Sequence, residues 1–188
     1  YDSSFGWRFI NPKMQKLYGT ESMGNTAENL VEKYGISRKD QDAFAYWSQM
    51  KAAKAQENGR LEKEIMTVEI PQRKKESILF SADEFIKPET TIEVLSKLRS
   101  AFKTEGGSVT AGNSSGLNDG SAAIIIASKA AVKKYNLEPL ARIVSSAVIG
   151  VEPRIMGMGP VEASNKALVK AGLTMNDMDI IEVNEAFA

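Results

Sequence analysis

Ser108-Val109-Thr110-Ala111-Gly112-Asn113-Ser114-Ser115-Gly116-Leu117-Asn118-Asp119-Gly120, running on into the apolar stretch 122–127, decides the fold class. Two runs suited to buried strands flank a loop built from small residues. Further on come a short helical pattern at 130–135 and a β-branched run at 140–151. A helix follows, with Pro160 in its first turn and Gly172 just past its end, and then a final apolar run through Ile180, Ile181 and Val183. Strand, strand, helix, strand, helix, strand is the order of an α/β fold whose strands are mostly buried.

Before this stretch the pattern changes. Residues 1–24 hold no sustained period but carry Phe5, Trp7, Phe9 and Tyr18. Thr26 can cap a short helix to Tyr34, with Gly35 just past its end. Ser37 opens the clearest helix. Asp40 and Asp42 lie at the positive end of its dipole, Phe44, Trp47 and Met50 share a stripe, and Gly59 stops it. Residues 65–70 read as a strand stopped by Pro71, followed by the basic run Arg73-Lys74-Lys75. Thr90 and Glu93 form a capping-box pattern before a helical repeat of Ile92, Leu95, Leu98 and Phe102. The helix-rich half therefore gives way near residue 105.

The 188 residues hold 24 basic and 24 acidic side chains and neither histidine nor cysteine. Zero formal charge gives no electrostatic reason to expect nucleic acid or an acidic membrane as the partner. Without Cys there is no disulfide and no thiolate. Without His there is no Ser-His-Asp triad, no imidazole base and no His/Cys zinc site. The longest apolar run, 122–127, falls far short of the roughly 20 residues a bilayer span needs. The chain opens on Tyr1 and stops at Ala188 just after an apolar run. Those ends fit a piece of a longer chain, or else a domain trimmed at natural borders.

Several motifs carry chemistry. Gly112-Asn113-Ser114-Ser115-Gly116 matches the nucleophile elbow G-x-S-x-G, with Ser114 as nucleophile, but the chain offers no histidine to take its proton. The same glycines and serines fit either a tight turn or a loop that lets a ligand approach the backbone. Arg73 and Lys74 suit a phosphate or a solvated turn. Met23 and Met156 lie beside glycines and suit an apolar pocket or plain core filling. Asn184 ends a strand pattern, where it can serve an oxyanion or satisfy its own turn.

Taken together, Ser22 to Asn29 (SMGNTAEN), Ser37 to Ala45 (SRKDQDAFA), Val109 to Gly120 (VTAGNSSGLNDG), Met156 to Pro160 and Ile181 to Ala188 (IEVNEAFA) resemble the thiolase family, the acetyl-CoA acyltransferases. The opening Phe5 to Pro12 resembles the degradative 3-ketoacyl-CoA and 3-oxoadipyl-CoA members. So does Ser22, where many biosynthetic members have His. The resemblance implies a layered αβαβα fold, incomplete here, with a helix-rich loop domain inserted. Residues 1–100 would be that loop domain, 101–135 the end of the N-terminal domain and 136–188 the start of the C-terminal domain.

It further implies acyl transfer to coenzyme A by thiolytic cleavage of a 3-oxoacyl-CoA, or the reverse Claisen condensation. Acyl-CoA and CoA would be the substrates, with no metal and no resident cofactor, in a cytoplasmic homodimer or homotetramer. Ser115 would contact the pantetheine arm, with Ala111 and Phe102 packing on it. Arg73 or Lys74 would lie near the nucleotide end, Met23 and Met156 would line the acyl pocket, and Asn184 would hold an oxyanion-hole water. The family's acylated Cys falls before Tyr1, and its His and second Cys fall after Ala188, so this stretch is expected to be inactive by itself. The alternatives are a non-catalytic module that binds CoA or another subunit and, remotely, a serine hydrolase at Ser114.

Overall fold

The computed structural model describes residues 7–188; Phe5 of the aromatic opening lies outside them. In chain order the helices and strands are α1 (Pro12–Tyr18), α2 (Met23–Tyr34), α3 (Arg38–Glu57), β1 (Val68–Gln72), β2 (Lys75–Phe80), α4 (Ile92–Ser96), α5 (Lys129–Tyr135) and α6 (Gly159–Ala171). They belong to two compact units. One holds the residues up to Glu21 with Leu117–Asn184; the other holds Ser22–Gly116 with Glu185–Ala188.

Local signals account for the helices. Ser22, Ser37, Thr91 and Ser128 each accept a first-turn amide through the side chain, at the starts of α2, α3, α4 and α5. Gly35 and Gly172 close α2 and α6 in the left-handed region, and Asn136 does the same for α5 at φ 49°. Two caps differ from the sequence reading. α2 starts at Met23 behind Ser22, three residues before Thr26, whose hydroxyl instead donates to the Met23 carbonyl at 2.7 Å. α4 is capped by Thr91, not Thr90, and stops at Ser96 although the apolar repeat runs to Phe102. There the Arg38 guanidinium takes the Leu95 and Leu98 carbonyls at 2.6 and 3.1 Å, and Ser100 bridges to Thr110, so side chain and bridge replace the next helical turn.

In the second unit α3 packs on α4. β1 and β2 form an antiparallel hairpin in which Val68 faces Phe80, Glu69 faces Leu79 and Ile70 faces Ile78. Pro71 does not stop the strand. It sits where the register shifts, at a bulge, so its missing N–H removes no rung of the ladder. The run after the basic turn is the second strand, which the sequence reading missed; Lys74 holds the turn at φ 74°.

In the other unit α6 lies against 145–148. Ser145 Oγ donates to the Ala167 carbonyl at 2.7 Å and Lys170 Nζ to that of Ser146 at 2.9 Å. Arg154 makes a two-pronged pair with Glu21, at 3.0 Å on each oxygen.

Residues 108–111, 122–127, 140–151 and 180–183 form no ladder here, against the expectation of strands. The first run is buried through Thr110 and makes one bridge, Ser100 to Thr110. The others are open: Ile125 is 92 % and Ile180 87 % exposed. β-branched apolar runs record a need for cover, while a strand also needs a partner brought from elsewhere in the chain. Among the described residues the last three runs have none.

Candidate functional site

The glycine–serine stretch sits in the second unit on a polar frame. Glu28, from the buried face of α2, accepts the Ser108 and Val109 amides on one oxygen, both at 2.8 Å, and the Ser108 hydroxyl on the other at 3.2 Å. Gln41 of α3 donates to the same hydroxyl at 2.9 Å. One residue on, the Asp42 carboxylate is 2 % exposed, paired with Arg38 at 2.8 Å, and accepts from Asn113 Nδ2 at 3.0 Å. Asn113 also donates to the Ser108 carbonyl at 3.0 Å and accepts the Thr110 amide at 2.7 Å, so both its amide protons and its oxygen are engaged. Buried polar groups hold a fold only when satisfied like this.

Past the frame the chain rises to the surface. Ser114 bridges to Phe187, the Ser115 amide donates to the Ala186 carbonyl at 3.0 Å, and the Ala188 amide donates to the Asn113 carbonyl at 2.9 Å. Ala111 and Ser115 are exposed. Ser114 is half-buried and its hydroxyl donates to the Thr110 carbonyl at 2.7 Å. Gly116 is roofed by Phe85, whose ring stands 2.2 Å from where a Cβ would be.

Phe102 joins this turn to α2. Its ring lies 2.3 Å from where a Gly24 side chain would begin, and it meets Phe187 edge-on, centroids 6.1 Å apart at 86°. Met23 neighbours Gly24 and is exposed. An open depression of about 410 Å³ runs along Arg99, Ser100, Ala101, Phe102, Lys103 and Thr104. At its rim the Lys103 ammonium is held by Glu32, and that hydrogen bond pushes the lysine pKa up.

Phe102 therefore stands against α2 at Gly24, next in sequence to Met23, and through Phe187 near the segment that ties down Ser115, while Ala111 lies exposed earlier on the same turn. Arg73 and Lys74 are in the same unit, exposed at the hairpin turn, and among the described residues no hydrogen bond or ion pair ties them to the glycine–serine stretch. Met156, in the 3₁₀ run Pro153–Met158, and Asn184 belong to the other unit and are both exposed. Sequence reasoning missed Glu28, Asp42, Phe85 and Phe187. A signal for Glu28 existed: it lies four residues after Gly24 and so shares the helix face that must be covered.

A surface of this kind offers a backbone-walled turn, a small hydroxyl and aromatic rings. It supplies hydrogen-bonding groups and apolar faces but no thiolate or imidazole. The family models agree on what such a chain is: the model for "Thiolase, N-terminal domain" matches residues 8–130 and that for "Thiolase, C-terminal domain" matches 137–188. The chain belongs to the thiolase family.

Among relatives, a beta-ketoadipyl-CoA thiolase of Acinetobacter baylyi is 53% identical over 187 residues, 100% of this chain and 46% of the relative. The 3-oxoadipyl-CoA/3-oxo-5,6-dehydrosuberyl-CoA thiolase of Escherichia coli is 50% identical over 188 residues, 100% of this chain and 47% of the relative. Among solved structures, the Bacillus anthracis acetyl-CoA acetyltransferase superposes with a TM-score of 0.82 at 42% identity, covering 100% of this chain and 48% of that one. The human mitochondrial 3-ketoacyl-CoA thiolase gives 0.79 at 49% identity, covering 88% and 41%. The fold is thus α/β of the thiolase type, and the chain spans about half the length of the relatives it matches.

Proposed function

We propose that these residues are the coenzyme-cradling part of a thiolase that cleaves a 3-oxoacyl-CoA with CoA, or runs the condensation in reverse. The observation that carries this is the exposed Ser115 on a turn whose backbone is tied down at both ends, beside the rings of Phe102 and Phe187. A rigid turn with a free hydroxyl suits the amides of a pantetheine arm, because little freedom is lost on binding. Ser115 contacts the arm, Ala111 and Phe102 pack on it, Arg73 or Lys74 serves the nucleotide end, Met23 and Met156 line the acyl pocket, and Asn184 holds a water for the developing oxyanion. In domain terms, 1–100 serves as the loop domain, 101–135 ends the N-terminal domain and 136–188 opens the C-terminal one.

The chemistry follows from physical need. A cysteine thiolate adds to the keto carbon, the carbon–carbon bond breaks to leave an acyl-enzyme and a thioester enolate, and an acid protonates that enolate. A fresh CoA thiol then takes the acyl group. Oxyanion donors carry the charge at each stage. No resident cofactor or metal is needed. The thiols and the imidazole lie outside these 188 residues, which contain neither residue type. The relatives named for beta-ketoadipyl-CoA and 3-oxoadipyl-CoA favour a substrate whose acyl chain ends in a free carboxylate.

Two assays on the 188-residue chain test this. A thiolysis assay is expected to show no CoA-dependent cleavage, and measurable cleavage would refute the assignment of the nucleophile to other polypeptide. Titration calorimetry is expected to show CoA binding, and no heat at millimolar CoA would remove the cradle. The large exposed apolar runs favour, as a second reading, a module that also meets other subunits, in keeping with a homodimeric or homotetrameric parent. A serine hydrolase gains no support, since the Ser114 hydroxyl donates its hydrogen bond to the Thr110 carbonyl and not to a base; labelling of Ser114 by a fluorophosphonate would reverse that.

A further inference from the structure

Two helices send one buried acid each to the stretch that carries Ser115. Glu28, from α2, is 4 % exposed and grips its entrance at the Ser108 and Val109 amides. Asp42, from α3, reaches its exit only through Asn113. Asn113 is 3 % exposed, and every polar group it owns is used. Its own carbonyl accepts from the Ala188 amide, and the Ser115 amide donates to the Ala186 carbonyl, so the backbone at 113–115 is zipped to 186–188. A shift at Asn113 is therefore passed to Ser115 two residues on. None of these groups is open to a ligand.

We propose that Glu28 and Asn113 are positioning residues: they hold the turn so that the Ser115 hydroxyl meets the pantetheine arm, and they touch no substrate themselves. The proposal rests on the coenzyme-arm role given to Ser115 above. Asn113→Asp is the sharp test. It keeps the shape and the acceptor for Thr110, removes both amide donors, and sets a carboxylate against the buried Asp42. The probes are coenzyme A and, separately, its adenosine bisphosphate half, which lacks the arm; both are titrated into the 188-residue chain.

Asn113→Asp is expected to weaken coenzyme A by about ten-fold while the nucleotide half changes by less than about two-fold. The double variant Asp42→Asn with Asn113→Asp restores a donor–acceptor match, since the amide introduced at 42 can donate to the carboxylate introduced at 113. It is expected to recover part of the loss. Glu28→Gln keeps an acceptor for the two amides and is expected to cost about three-fold on coenzyme A alone. It carries the same test should Asn113→Asp not fold.

Unchanged coenzyme A affinity in the folded variants would overturn the proposal. So would equal loss of both probes in both single variants, which marks a merely structural role. Failure of the coenzyme-arm reading shows without any substitution: the unmodified chain would then bind coenzyme A no better than its nucleotide half, or bind neither, and the proposal would fall with it.

Discussion

Gly24 carries a consequence out of proportion to its size. A methyl group there would begin 2.3 Å from the Phe102 ring, so the ring must move. Gly24→Ala is expected to destabilise the chain by about 1–2 kcal/mol, the overpacking cost less the helix propensity regained, as read by denaturant unfolding. Because Phe102 also leans on Phe187, the same variant should weaken coenzyme A binding. Arg38→Met keeps the aliphatic stem but strips Asp42 of its cation and two carbonyls of their donor. A loss of about 3 kcal/mol is expected in the same unfolding experiment. Of the residues the sequence marked as contacts, Ala111 and Ser115 sit on the turn whose motif pointed to them, whereas Arg73 and Lys74 sit on the hairpin and Met156 and Asn184 in the other unit. The acids beneath were not legible, because a carboxylate on a helix reads as a solvated face until the tertiary fold covers it.

Helices were legible at several chemically marked ends, but α1 was not, although Asn11 caps it, Pro12 opens it and Gly19 follows it. Ser37, Gly35 and Gly172 sit where capping rules place them, because a cap depends on neighbours within one turn. Ser37→Ala is expected to cost about 1 kcal/mol, measured by thermal unfolding. The strand expected at 65–70 overlaps β1, but later ones failed: 122–127 and 140–151 show the composition but not the ladder, since pairing is decided by residues far away in sequence. One short 3₁₀ turn, Met175–Asp177, offers a pH signature. The Thr174 hydroxyl and amide hold the Asp177 carboxyl below its usual range. Its stabilising contribution is present above the unfolded-state value and disappears as pH falls through the lower folded one. Asp177→Asn is expected to flatten that acid limb, recorded as melting temperature against pH.

At the scale of the molecule, apolar surface outruns what its own residues cover. Ile124, Ile125 and Ile126 are 82 %, 92 % and 73 % exposed, and Leu140, Val148 and Ile180 are open as well. Exposed apolar surface on this scale drives association. The chain is expected to elute from size-exclusion chromatography as a dimer or larger, in a concentration-dependent way, and a sharp monomer peak at all concentrations would contradict this. The hairpin is a different case despite its own exposed Val68, Ile78 and Leu79. Pro71 gives the ribbon a kinked rim with one proton missing, so a foreign strand laid along β1 finds no continuous template. Whatever clumping the isoleucine runs cause, fibrils seeded from this ribbon should be rare, and replacing that one imino acid would be the way to invite them.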